Sequence, residues 1–222
     1  APRLVIFDCD GVLIDSEVIA ARAQSQALAA HGIAITPEEA ARRFAGIPDA
    51  DMWQTLQQES ERRLPDGFAR QYADRLQASF RQELRALPGA AETVAALRER
   101  GMQLCVASSS QPAKLEAALR MVGLWDAFAP NVFSVAQVAR GKPAPDLFLF
   151  AADKMGVDPS RCVVIEDSPF GVEGAIAAGM TAFGYTGGGH TYAGHAEKLT
   201  SKGAHRVFSH WNDIAREILV AA

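Results

Sequence analysis

Arg3-Leu4-Val5-Ile6-Phe7-Asp8-Cys9-Asp10-Gly11-Val12-Leu13-Ile14-Asp15-Ser16-Glu17 sets the terms on which the remaining sequence is read. Four apolar, β-favouring residues run without interruption into two acids that flank one residue, and a glycine follows at once. An unbroken apolar run of this length suits a strand covered on both faces, as in a parallel α/β sheet. Ligands bind such sheets beyond the carboxyl ends of the strands, which is where Asp8 and Asp10 stand. Residues at i and i+2 of a strand point the same way, so both carboxylates can face one small volume. Two acids that close repel each other unless a cation or a shared proton lies between them. Asp-Gly also favours a tight turn, so a plain turn at Asp10-Gly11 stays open at this point.

The 222 residues are enough for one or two domains with a full core. An apolar content of 49% and a charged content of 22% describe a folded, helix-rich α/β protein rather than a disordered chain. The net charge of −4, with acids and bases interspersed, argues against a nucleic-acid partner, which would need a clustered basic footprint. No apolar run approaches the roughly 18 residues that a membrane span requires. Cys9, Cys105 and Cys162 each lie in or beside an apolar run, so they read as buried small hydrophobes in a reducing compartment, and a cytoplasmic monomer is the expectation.

Downstream of the quoted stretch, Val12-Leu13-Ile14 suits a short returning hairpin arm and Ser16 a helix N-cap, with Gly32 as the stop. Thr36-Pro37-Glu38-Glu39 predicts a second helix that ends before Gly46. Residues 49–60 and 66–84 also read as helices, the latter carrying the stripe Phe68, Tyr72, Leu76 and Phe80 expected of a helical core. Trp53 belongs with that core, and Arg22, Arg42 and Arg43 read as solvated helix faces. From Ser16 to about Arg85 no strand is predicted, so an all-helical block is inserted after the first strand.

Strand and helix then alternate to the end. Strands are expected at 104–107, 132–134, 162–165, 181–185 and 205–208, with helices at 89–100, 112–122, 145–156, 169–178, near 193–202 and at 211–220. That rhythm predicts βαβ units and a parallel sheet. Gly187-Gly188-Gly189 reads as a loop, and His190 and His195 beyond it as surface residues.

The predicted strand ends hold a chemically coherent set. Residues 104–107 run into Ser108-Ser109-Ser110, residues 162–165 run into Glu166-Asp167-Ser168-Pro169, and Lys142-Pro143 lies between them. Singly, each has an ordinary reading as a cap or a loop residue. Together they bring carboxylates, hydroxyl and amide donors and one lysine to the mouth of one sheet. Carboxylates in that number suit a hard cation such as Mg²⁺, while the donors and lysine suit a phosphate.

Four ordered motifs now stand out: Asp8-Cys9-Asp10-Gly11-Val12, the Ser108 strand end, Lys142-Pro143-Ala144-Pro145-Asp146, and Glu166-Asp167-Ser168-Pro169-Phe170-Gly171 with Gly174, Ala178 and Gly179 behind it. In these the sequence resembles the haloacid dehalogenase superfamily, and within it the β-phosphoglucomutase-like phosphatase branch. The resemblance implies a three-layer, Rossmann-like α/β core of residues 1–15 and 86–222 with an α-helical cap domain at 16–85. It also implies an Mg²⁺-dependent phosphatase acting on a small phosphorylated metabolite such as a sugar phosphate or phosphorylated sugar acid. Asp8 would be the nucleophile that becomes an aspartyl phosphate, and Asp10 the general acid and base. Ser108, Ser109, Lys142 and, in the cap, Gly46 would meet the substrate. Asp8, the Asp10 carbonyl, Glu166 and Asp167 would bind the metal. Dehalogenases proper lack an acid at the Asp10 position. The branch's mutases carry a histidine where Ala20 stands and basic residues in the loop matching Phe44 to Asp49. Water is therefore the expected acceptor, with a sugar-phosphate mutase and a non-catalytic phospho-receiver domain as the alternatives.

Overall fold

The computed structural model describes residues 1–44 and 47–221. Six strands, β1 (Leu4–Phe7), β2 (Gln103–Ser108), β3 (Val132–Ser134), β4 (Cys162–Glu166), β5 (Thr181–Tyr185) and β6 (Arg206–Phe208), form one parallel sheet in the order β3-β2-β1-β4-β5-β6. β1 is central, pairing Val5 with Leu104 on one side and with Val163 on the other. Strand order grows in opposite directions from β1 and β4, so the crevice at their carboxyl ends is the topological switch point where ligands of open sheets sit.

The period of two divides each central strand between two cores. Val5, Phe7, Val106, Ile165 and Tyr185 face one apolar cluster, together with α5 (Ala90–Glu99) and α11 (Trp211–Ala221). Leu4, Ile6, Cys105, Val164 and Ala182 face the other, packed by α8 (Asp146–Met155), α9 (Pro169–Ala177) and α10 (His195–Ser201). This is the three-layer arrangement expected from the unbroken apolar strands. Phe7 stacks on Trp211 at 5.8 Å and meets Phe128 edge-on at 5.3 Å, filling the first layer beneath the site.

Between β1 and β2 the chain forms α1 (Ser16–Ala29), α2 (Pro37–Phe44), α3 (Asp49–Ser60) and α4 (Phe68–Glu83). Phe68, Tyr72, Leu76 and Phe80 are all buried on one face of α4, as their spacing requires. Trp53 meets Phe68 and Tyr72 edge-on at 5.2 and 5.0 Å, which places it in the core of this block. Arg43 pairs with Glu39 and Glu59, and Arg22 with Glu83, all at partly exposed positions.

The chain crosses into and out of the helical block at one place. Asp15 donates its N–H to the Arg85 carbonyl at 3.1 Å, Leu87 donates to Leu13 at 2.9 Å, and Ile14 bridges Ala86 in antiparallel fashion. Val12–Ile14 is therefore not the hairpin arm expected. The N–H groups of Leu13 and Ile14 both turn back to the Cys9 carbonyl, so these residues form a tight turn whose far end pairs with the returning chain. Ser16 is likewise not an N-cap: it is the first helical residue, and its hydroxyl is used elsewhere. A short helix α7 (Trp125–Phe128) was not foreseen; α6 is Pro112–Met121. β2 and β4 each run one residue beyond the expected end, making Ser108 and Glu166 their last members. Among the described residues no helix is long and apolar enough to cross a membrane.

Candidate active site

The site is built from the carboxyl ends of β1, β2 and β4. Asp8 follows β1 directly, and its N–H donates to the Ile165 carbonyl at 3.0 Å, so the ladder that pairs β1 with β4 fixes its backbone. Lys142 reaches in from the segment before α8, and its Nζ donates to Asp8 Oδ1 at 2.8 Å, Glu166 Oε1 at 2.5 Å and the Ala107 carbonyl at 3.1 Å. The ammonium is buried, 5.2 Å from the Phe148 ring centroid, and is therefore tied to these two acids. Burial works against its charge, but Asp8 and Glu166 outweigh that and hold its pKa above the ordinary lysine value.

Glu166 is fully buried. Its second oxygen, Oε2, accepts from the Ser168 hydroxyl at 3.0 Å and from the Ser168 N–H at 3.2 Å. Ser168 in turn caps α9 by accepting the Gly171 N–H at 2.9 Å, with Pro169 at the first helical position as the sequence indicated. A Cβ on Gly171 would lie 1.9 to 2.2 Å from the Glu166 carboxyl atoms, so only glycine leaves room for that carboxylate under the first turn of α9. One carboxylate oxygen from each of Asp8, Glu166 and Asp167 can lie within 4.8 Å of the others. Burial first, then Glu166 and Asp167, push Asp8 well above the usual carboxylate range against the pull of Lys142; burial raises Glu166 as well. Three buried acids, two of them bonded to Lys142, form an all-oxygen donor set that fits a hard divalent cation.

Asp10 faces a different set of partners. Ser16 donates its hydroxyl to Asp10 Oδ1 at 2.6 Å, and Ser110 to Oδ2 at 2.7 Å. Burial would raise the Asp10 pKa, but Lys114, these two hydroxyls and Lys142 together hold it below the ordinary value. Ser108 is buried at the end of β2 and accepts the Ser110 N–H at 3.0 Å, while Ser109 is exposed. Gly46 lies outside the described residues. The remaining sequence-selected site residues, Asp8, Asp10, Ser108, Ser109, Lys142, Glu166 and Asp167, all fall at this one mouth of the sheet.

Sequence reasoning missed several neighbours. Ser16 reads as a helix cap and Ser110 only as one of the serines at the β2 end, yet both hydroxyls bond Asp10. Lys114, on α6, faces the helical block, its Nζ 5.9 Å from the Phe80 ring centroid, and Asp10, Glu17 and Asp49 raise its pKa against burial. Glu17 is lifted to about 7 by burial first and by Asp10 next. The largest correction concerns the histidines. His190 and His195 are not surface residues but buried, with His190 Nε2 2.7 Å from Asp167 Oδ2 and His195 Nε2 donating to the Asp167 carbonyl at 2.6 Å. Burial opposes a charge on His190, but Asp167 outweighs it and lifts the pKa to about 9. The one signal available was three glycines leading into a histidine, a composition that permits close backbone approach.

The family model for haloacid dehalogenase-like hydrolases matches residues 2–179, a span that holds every carboxylate and the lysine described above. The chain belongs to this family. Among curated haloacid dehalogenase-like relatives, the 6-phosphogluconate phosphatase of Escherichia coli is 32% identical over 180 residues, covering 81% of this chain and 80% of the relative. Hexitol phosphatase B of the same organism is 35% identical over 181 residues, covering 79% of each. A haloacid dehalogenase-like structure from Agrobacterium tumefaciens, of unknown function, superposes with a TM-score of 0.91 at 37% identity, covering 100% of this chain and 99% of that one. A family hydrolase from Deinococcus radiodurans with bound phosphate and sodium gives 0.88 at 35% identity, covering 99% and 96%. The chain is thus a hydrolase of the haloacid dehalogenase-like kind, and its acids and lysine stand where the fold's switch point lies.

Proposed function

We propose that the protein is an Mg²⁺-dependent phosphomonoester hydrolase for small phosphorylated sugars or sugar acids, working through a phosphorylated Asp8. The observation that carries this reading is the buried group of Asp8, Glu166 and Asp167, with Lys142 bonded to the first two, next to a separately bonded Asp10. The identity to a 6-phosphogluconate phosphatase and a hexitol phosphatase supports the substrate class.

The carboxylates of Asp8 and Asp167 and the Asp10 carbonyl would hold Mg²⁺, with Glu166 in support directly or through water. The cation supplies positive charge that lets an anionic nucleophile approach an anionic phosphoryl group. Lys142 offsets charge from the other side, already touching Asp8. An Asp8 oxygen attacks phosphorus, the ester P–O bond breaks, and the departing oxygen takes a proton from Asp10. Asp10 then takes a proton from water as that water attacks phosphorus, releasing inorganic phosphate and restoring Asp8. Both Asp10 oxygens accept hydroxyl hydrogens at rest, the pattern of an ionised carboxylate, so Asp10 must acquire its proton as substrate enters. Ser108 and the Ser109 amide meet phosphate oxygens. Residues 16–85 act as a cap domain over residues 1–15 and 86–222, excluding bulk water during the reaction.

The test is Mg²⁺-dependent phosphate release from a panel of phosphorylated sugars, sugar acids and an aryl phosphate, with Asp8→Asn alongside. Full activity in Asp8→Asn refutes the reading. Isomerised sugar phosphate in place of free phosphate identifies a mutase, and a phosphoenzyme stable for hours a receiver.

A further inference from the structure

The loop from Thr186 to His195 is folded over the opening turn of the chain. Thr186 donates its N–H to the Phe208 carbonyl at 2.8 Å, and the Thr191 hydroxyl donates to the Thr186 carbonyl at 2.8 Å, closing the loop on itself. Gly189 donates its N–H to Asp15 Oδ1 at 3.1 Å, which fastens the loop where the chain enters the helical block. Tyr192 stacks on the His195 ring at 4.7 Å, and the two histidine rings lie 5.9 Å apart.

Two glycines fit the His190 ring into this arrangement. A Cβ on Gly188 would lie 2.7 Å from two atoms of that ring and 3.1 Å from the Gly11 carbonyl oxygen. A Cβ on Gly11 would lie 2.3 Å from Asp167 Oδ2 and 2.8 Å from the His190 ring. The imidazole and the Asp167 carboxylate are thus seated between the backbone of the opening turn and the backbone of the loop. Nε2 of His190 stands 2.7 Å from Asp167 Oδ2 but off the line of an aligned hydrogen bond, and neither ring nitrogen has another partner. A polar ring this deeply buried is directed at one acid, while a second histidine holds the same acid's carbonyl. Core filling alone would call for an apolar side chain in place of either ring, since burying an imidazole costs free energy unless a partner answers it.

We propose that His190 and His195 are positioning residues for Asp167. His190 occupies one carboxylate oxygen and His195 fixes the backbone, so that the Thr186–His195 loop selects the oxygen Asp167 presents to a divalent cation. The proposal rests on the reading of Asp8, Glu166 and Asp167 as a cation site. Groups that hold a ligating carboxylate in place are commonly worth about 10- to 100-fold in metal affinity.

The experiment is calorimetric titration of metal-stripped protein with Mg²⁺, without substrate, for wild type, His190→Leu and His190→Gln, with urea midpoints measured in EDTA. His190→Leu is expected to bind Mg²⁺ about 10- to 100-fold more weakly while still showing a cooperative metal-free urea transition. His190→Gln, whose amide nitrogen can stand in for Nε2, is expected to recover most of the loss. Equal affinity in His190→Leu and wild type overturns the proposal. Should His190→Leu not fold, His190→Asn, too short to reach Asp167, is compared with His190→Gln, and equal affinities in that pair overturn it. A wild-type protein that binds no Mg²⁺ overturns the cation-site reading and this proposal with it, an outcome distinct from unchanged binding in the variants.

Discussion

Ser16, the first residue of the helical insertion, donates a 2.6 Å hydrogen bond to Asp10, so the insertion and the proposed acid and base are joined by one side chain. Hydrogen bonds to charged groups contribute about 1.5 to 3 kcal/mol. Ser16→Ala is therefore expected to lower kcat/KM by about 10- to 150-fold, since 1.4 kcal/mol is a factor of ten. Asp10→Asn, which removes the proposed proton carrier itself, should cost on the order of 10² to 10⁴. Steady-state kinetics on the best substrate of the panel checks both; an unaffected Ser16→Ala would detach the serine from catalysis.

Gly171→Ala is expected to be damaging although the glycine has an ordinary helical backbone. Its new methyl would have to displace the Glu166 carboxyl, which itself is held by Lys142 and Ser168. Overpacking of this kind costs about 1 to 3 kcal/mol. Urea denaturation should show that loss, and Mg²⁺ affinity should fall with it.

Lys142→Met leaves Asp8 and Glu166 buried together without their counter-charge. Removing one partner of a buried ion pair costs on the order of 3 to 5 kcal/mol. The metal-free variant should be destabilised by that order, and saturating Mg²⁺ should restore part of the loss by supplying positive charge to the same acids. Arginine should not substitute, because the pocket beneath Phe148 holds a point-like ammonium rather than a planar fork. Thermal unfolding with and without Mg²⁺ measures both effects.

The metal-free protein should lose stability as pH rises from about 6.5 to 9. Against burial, Asp167 raises His190 from its ordinary 6.5 to about 9, so the folded state binds that proton more tightly than the unfolded chain does. Its contribution is full below 6.5 and is lost as pH rises through 9. Asp8, Glu166 and Glu17, raised chiefly by burial, act in the same direction, Glu17 between 4.5 and about 7. Asp10 is lowered and opposes this trend below its ordinary 3.8. Because protons and Mg²⁺ compete for the same carboxylates, the rise in Tm on adding Mg²⁺ should be larger at pH 8.5 than at pH 6. Thermal scans in EDTA and in Mg²⁺ decide it; a metal-free Tm that climbs across this range contradicts the linkage.

The three cysteines should be silent in the native protein. All are buried; burial raises each thiol, Cys162 to about 11, and the acids beside Cys9 raise it further. An aromatic disulfide reagent at pH 7.5 should label them only slowly until urea is added, when three thiols appear.

What could be read from the sequence and what could not divide along the reach of the interactions. β1 was legible because Leu4–Phe7 and the two acids are consecutive, and strand geometry alone carries Asp8 past the sheet's edge. The α4 stripe and the Ser168-Pro169 cap are equally local patterns. Ser16 was misassigned because a hydroxyl at a helix start has a ready local acceptor, and nothing nearby tells that Asp10 competes for it successfully. His190 was missed for a longer-range reason: its burial depends on Gly188 meeting the backbone of Gly11, far away in the chain. Lys114 occupies an outward position on α6 by sequence pattern, and only the helical block opposite brings Phe80 against it.

The central place of β1 bears on how the molecule comes to be made. Its hydrogen-bonding partners, residues 103–106 and 162–165, leave the ribosome long after it does. At about 5 to 20 residues per second, the delay before both neighbours exist is roughly 10 to 30 s. Throughout that interval Leu4 to Phe7 is an apolar strand with at least one open edge, the kind of segment that pairs with the wrong chain. The intervening helices can fold early from local contacts. A nascent chain halted before residue 162 should therefore hold a formed helical bundle attached to an unsatisfied strand, and would be the species a chaperone captures.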